Sequence, residues 1–129
     1  MTIEALYQRV TEAIIAAEAL EAKGQSVEAA QAYLTVSFME EEIAGDLPAS
    51  DEEGAIARRG AVRAAFTAGL PTRAKVLAER YMVEPDAPPE LAHQLREMAA
   101  RADAVLAPPP HHTVLVIPEA RYRLDDEAA

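Results

Sequence analysis

The chemistry open to a protein starts from the side chains it owns, and this chain of 129 residues owns no Cys, which excludes a thiol nucleophile, a thiolate metal site and a disulfide framework. Its serines are Ser26, Ser37 and Ser50, and none stands in a G-x-S-x-G elbow. The five glycines are scattered, and none belongs to a phosphate-cradling loop ending in Gly-Lys-Ser/Thr. Carboxylates and histidines carry what options remain. Glu90 and His93 form one E-x-x-H pair, the spacing with which a helix offers two ligands to a metal, but a di-metal bundle needs two such pairs and further Glu. Glu18 with Glu21, and Glu40, Glu41 and Glu42 with Asp46, are the acids from which a magnesium-dependent nucleotide hydrolase would be built on the first two helices. The E-x-x-D that such a site also needs is missing, because Glu42 and Asp46 are four apart. His111 and His112 are adjacent after three prolines, and in an extended chain they point to opposite faces, so they would not share a metal with Glu119. Arg101 and His111 are too far apart for a helical nuclease pair. The residues therefore read as those of a non-enzyme with no cofactor and no metal, the metal-dependent hydrolase being the alternative.

Charge narrows the partners. Net charge is −10, which argues against nucleic acid, whose binding is driven by neutralising phosphates. Residues 1–53 hold twelve acids against Arg9 and Lys23, whereas residues 54–123 hold ten bases against seven acids. Such an acidic amino-terminal half suits a basic partner, or the chain's own Arg58, Arg59 and Arg63. No apolar run approaches the roughly 20 residues of a membrane span, and Glu4, Arg9 and Glu12 interrupt any signal-peptide core, so a soluble, cytoplasmic protein is expected. Abundant Ala, absent Asn and ten Arg among twelve bases suggest a GC-rich bacterial genome.

The elements that must position these residues are helices. Residues 2–23 place Ile3, Leu6, Tyr7, Val10, Ile14, Ala17 and Leu20 at three- and four-residue steps. Gly24 suits a left-handed helix end, and Ser26 is placed to cap a second helix over 27–44. That helix has two apolar stripes, Val27, Ala30, Leu34 and Phe38 on one side and Ala29, Tyr33, Val36 and Ile43 on the other, which predicts burial on both sides. Gly45 to Ala49 break the pattern, and Ser50 with Glu53 has capping-box spacing for a third helix over 51–69. This helix is expected to bury Ala55, Ile56, Val62, Ala65 and Phe66 and to keep Arg58, Arg59 and Arg63 outside or at an edge. Pro71 opens a fourth helix with Ala74, Leu77, Ala78 and Tyr81 inward. A fifth, over 89–107, turns Leu91, Leu95, Met98, Ala102, Val105 and Leu106 inward. Pro108, Pro109 and Pro110 then stop helix formation, dividing the chain into a helical domain, 1–107, and an extended tail, 108–129. Thr113, Val114, Leu115, Val116 and Ile117 make an apolar strip in that tail, expected to pack back on the helices or to meet another chain.

Gly24, Ala29, Tyr33 and Val36, echoed by Gly69, Ala74, Leu77 and Tyr81 with Pro85 after them, have the spacing of a degenerate tetratricopeptide repeat. Residues 1–85 thus resemble two hairpins of that family, with 89–107 looking like its capping helix. The family's Trp and its Leu-Gly-Tyr pattern are missing, and the 45–50 loop is longer than a regular repeat uses. A three-helix module of the microtubule-interacting-and-transport type has a similar hairpin. The fold class expected is all-α, an array or bundle of about five helices in antiparallel hairpins. What the resemblance implies is an adaptor or small chaperone-like module that binds a protein or peptide in a groove lined by the first helix of each pair. The residues expected to meet a partner are Tyr7, Arg58, Arg59, Arg63, Phe66 and the strip Val114, Leu115, Val116 and Ile117, which would fill the protein's own groove or pair with a partner as an added strand. No Asn is present to build the family's usual carboxylate clamp. No nucleic acid and no membrane are expected, and a homo-oligomer through the strip or the second helix is the structural alternative.

Overall fold

Two turns made the same way organise the molecule. In the first, Gly24 has φ 75°, the Gly24 amide donates to the Glu21 carbonyl (3.0 Å) and the Gln25 amide to that of Leu20 (3.0 Å). In the second, Gly69 has φ 78°, with Gly69 bonded to Phe66 (2.9 Å) and Leu70 to Ala65 (2.9 Å). Both are Schellman ends, which use a residue without Cβ in the left-handed region to satisfy the last carbonyls of a helix and reverse the chain.

The computed structural model describes residues 2–108. Among them five helices follow one another without a strand: α1 (Ile3–Ala22), α2 (Ser26–Asp46), α3 (Glu52–Thr67), α4 (Pro71–Met82) and α5 (Pro89–Leu106). Each packs on its neighbours in the chain, and α5 also touches α3. This is the all-α array of antiparallel hairpins expected from the periodicity. The tail strip Val114, Leu115, Val116 and Ile117, with His111 and His112, lies outside the described residues.

Small residues let the helices come close. Ala17, Ala61, Ala65, Ala74, Ala78 and Ala102 have no exposed surface, and Ile43, Val62, Leu77 and Leu95 fill the space between them. Several local expectations are corrected. The second helix runs on through Gly45 and Asp46 and stops at Leu47, whose extended backbone (φ −129°, ψ 141°) is what a following Pro48 demands. Ser26 is the first residue of α2 and makes no capping bond. The third helix is capped by Asp51, whose Oδ1 accepts from the Glu53 amide at 2.8 Å, and Ser50 stays outside. Val105 and Leu106 are exposed, since the last turn of α5 reaches past its neighbours.

The largest correction concerns Arg58, expected at the surface and found 4% exposed. Its Nε and Nη2 donate to the two oxygens of Glu84 (2.6 and 3.2 Å), and its Nη1 donates to the carbonyls of Leu47 and Gly54 (both 3.0 Å). The guanidinium also lies 5.4 Å from the centre of the Tyr81 ring. A buried charge is tolerated only when paired and hydrogen-bonded, and a planar fork meets that condition where a lysine would not. One side chain thereby joins the 45–51 loop, the start of α3 and the end of α4. Gly54 permits it, because a Cβ there would stand 3.0 Å from the Pro48 carbonyl carbon. Arg58→Ala, which leaves the Leu47 carbonyl and the Glu84 carboxylate without their donor, is expected to lower unfolding stability by ~3 kcal/mol, read from urea titration, and Arg58→Lys is expected to recover less than half of it.

Candidate binding groove

On α3 the buried positions are Gly54, Ala55, Ala57, Arg58, Ala61, Val62, Ala64 and Ala65. Ile56, Gly60, Arg63 and Thr67 therefore fall on a separate line of the same helix, at steps of four, three and four. Tyr7, Thr11 and Ile14 make the matching line on α1. The two lines face one another across α2 and bound an open groove. Its wider part, about 330 Å³, is lined by Tyr7, Val10, Glu40, Glu53, Ile56 and Ala57 together with Thr11. A narrower part of about 130 Å³ continues towards the carboxy-terminal ends of α1 and α3, past Ile14, Val36, Gly60, Arg63 and Thr67. Glu40 of α2 borders both parts.

The walls are apolar and the fixed charge is mostly negative. Hydrogen bonding to the neighbouring Glu53 carboxylate, with burial and the charges of Glu53, Asp51 and Glu40, pushes the Tyr7 pKa up to about 12. Tyr7 is thus a neutral donor at any ordinary pH. Glu40 makes no hydrogen bond among the described residues, and its carboxyl sits against the bare backbone of Gly60, where a Cβ would come within 2.7 Å of Cδ. Burial raises its pKa to about 7, against a smaller opposing pull from Arg63.

The residues expected to meet a partner separate into groups. Tyr7 and Arg63 line the groove. Arg58 does not, being enclosed on the other side of α3 with all its bonds inside the protein. Arg59 turns towards α5, where its Nη1 donates to Gln94 Oε1 at 3.3 Å. Phe66 is half-buried with the Arg101 guanidinium 5.8 Å above its ring. Val114 to Ile117 lie outside the described residues. Ile56, expected in the core, is 48% exposed at the centre of the wider part. Glu53 and Gly60 lie on the third helix, which was expected to line the groove, whereas Glu40, on the second, was not expected there.

A larger depression, about 520 Å³, lies between the end of α2 and α4 around Arg58, Arg80, Tyr81, Glu41 and Glu84. Its charges already answer one another: Arg58 holds Glu84, and Arg73 and Arg80 hold Glu41 at 2.7 and 3.3 Å. The Tyr81 hydroxyl, buried in its wall, has no hydrogen-bond partner among the described residues. The acids of the hydrolase alternative do not converge: Glu21 accepts from the Tyr33 hydroxyl at 3.0 Å, Glu41 is held by its arginines, and Glu40 faces Gly60. Among the described residues no group of three or more His, Asp or Glu side chains is placed to hold a metal. No described helix is long and apolar enough to cross a membrane.

No protein-family model matches the chain, and neither a curated protein nor a solved structure matches it.

Because the folded pKa of Glu40 lies above its ordinary value of 4.5, folding favours the protonated form. Its contribution is complete below about pH 4.5 and is lost as pH rises through about 7. Between about pH 5 and pH 8 the natural chain is expected to lose roughly 1–2 kcal/mol more urea stability than Glu40→Gln, the figure being reduced for the solvent that reaches the carboxyl.

Proposed function

We propose that the helical domain is a non-catalytic protein-interaction module, an adaptor or small chaperone-like protein, that takes a protein segment into the α1–α3 groove. The observation that carries the reading is the exposure of Ile56, with Tyr7 and Val10 opposite, in an open cleft whose ends and floor bear Glu53 and Glu40. Apolar wall with acidic edges suits a segment in which Leu, Val or Ile alternates with Lys or Arg: the apolar residues take the surface out of water, and the cations set orientation and approach. The excess of acids over residues 1–53 extends the same field beyond the groove. The likeness of the paired hairpins to tetratricopeptide repeats supports the reading, since in that family the first helices of successive pairs line the binding surface.

Short fluorescein-labelled peptides alternating Leu with Lys or Arg are expected to bind the chain with Kd in the ~1–100 μM range by fluorescence anisotropy, and their Glu-for-Lys counterparts not to bind. Ile56→Glu, at a position already open to water, is expected to weaken binding by at least about tenfold without changing the circular dichroism. Equal binding of acidic and basic peptides, or indifference to Ile56→Glu, contradicts the proposal.

A second reading rests on α2. Val27 and Phe38 are 69% and 53% exposed, so the two ends of the first apolar stripe are open where burial was expected on both sides, while Ala30 and Leu34 between them are half-buried. Self-association through this stripe would cover it. If it does, sedimentation velocity is expected to show an apparent mass that rises with concentration and is returned to that of a monomer by Phe38→Glu.

A further inference from the structure

The groove has a direction, and so does the chain that leaves the last helix. Arg59 meets Gln94 and Arg101 meets Phe66, so α5 runs alongside α3 in the same sense and ends beside the carboxy-terminal end of α3. The chain therefore departs, at Leu106 to Pro108, at the end of the groove marked by Thr67 and Ile14. From there the groove presents first its narrow part, Ile14, Val36 and Ala64 with Arg63 beside them, then Glu40, then Tyr7 and Ile56, and finally Glu53 and the Asp51 cap. The chain after Pro108 presents the same sequence of chemistry in complement: prolines, then Thr113 to Ile117 without a charge, then Arg121 and Arg123, with Glu119 the one acid among them.

Lengths agree as well. Pro109 to Thr113, at about 3.1 Å per residue in a polyproline conformation, reach about 16 Å, enough to pass from α5 over the 8–10 Å that separates packed helices. Val114 to Arg121 span about 23 Å when extended, and Thr67 to Glu53 span about 21 Å along α3 at 1.5 Å per residue. We infer that residues 113–123 are the groove's resident occupant, lying in the same chain with the apolar strip against Ile14 and Val36 and the two arginines towards Glu53 and Asp51. The inference rests on the groove being a segment-binding site and adds that an outside segment must displace the tail. Tethering makes the tail a competitor of high effective concentration, so it lowers the apparent affinity of any free peptide.

A chain without Cys allows a clean test. In the full-length, 15N-labelled protein, Ala120→Cys carries a nitroxide between the strip and the arginines. The expected result is a severalfold loss of the Val10, Glu53 and Ile56 amide signals, reversed by reducing the label, abolished by adding Val114→Asp and Val116→Asp, and absent when labelled 15N-free chain is mixed with unlabelled 15N chain. The same double Asp substitution is expected to raise affinity for the Leu/Lys peptides by at least about tenfold. No loss at these amides, loss that persists in the mixed sample, which would place the tail on a second copy, or loss along Val27 and Phe38 instead would each overturn the inference. Peptide binding without the nitroxide effect sinks the resident tail alone; no peptide binding by the natural chain or the double Asp variant sinks the groove reading too.

Discussion

A guanidinium with four bonds and an aromatic face around it is hard to move. Arg58 fixes the loop after α2 through the Leu47 carbonyl, the first turn of α3 through that of Gly54, and the end of α4 through Glu84 and Tyr81. The two hairpins are joined by a loop longer than their own turns, and a loop of that kind does not by itself set an angle between them. Arg58 sets it from within, at the cost of desolvating a charge that only complete bonding makes tolerable. A second polar tie stands beside it: buried Ser37 donates to the Ala61 carbonyl (2.7 Å) and accepts from Arg73 (3.1 Å), which in turn holds Glu41. Together these bonds concentrate the ionic chemistry on the α2–α4 side.

The opposite side is left with a different character. There α1 and α3 face each other across α2 with few polar bonds between them, small residues at Ala57, Gly60 and Ala64 keep the surface concave, and Ile56 stands in solvent. Glu40 is the clearest sign that this face is not simply core: a carboxyl with no hydrogen bond and a raised pKa is held where nothing in the fold pairs it beyond the distant pull of Arg63. Stability would be better served by an apolar residue at that position, and a cationic guest would relieve the cost.

Much of this was legible in the sequence and some was not, for physical reasons that differ. Helix number, order and the two glycine turns follow from apolar periodicity and from the need for a residue without Cβ at positive φ, both local effects. The end of α2 was misplaced because Gly45 is a tolerable helix residue and the stop comes from Pro48 acting on Leu47. The cap of α3 moved from Ser50 to Asp51 because either side chain can accept the bond and the loop's tertiary ties choose between them. Arg58 reads as surface in any local view; only Glu84, 26 residues away, and the turned-in carbonyls of Leu47 and Gly54 make its burial possible. Ile56 was assigned to the core for being apolar, although its phase with Gly60, Arg63 and Thr67, one step away from the buried Ala57, Ala61 and Ala64, marked it as outside. The tetratricopeptide-like spacing suggested where a groove would run, and the side chains that line it had to be found from the packing.

The binding reading and the resident tail both turn on the α1–α3 face being where a partner segment sits. The direct measurement is a 15N–1H correlation spectrum of the full chain during titration with the Leu/Lys peptide. The groove predicts shift changes concentrated at Tyr7, Val10, Glu40, Glu53, Ile56 and Ala57, with the amides around Arg80, Tyr81 and Glu84 unmoved. Changes centred on that polar depression, or along Val27 and Phe38, with the groove silent, would contradict it.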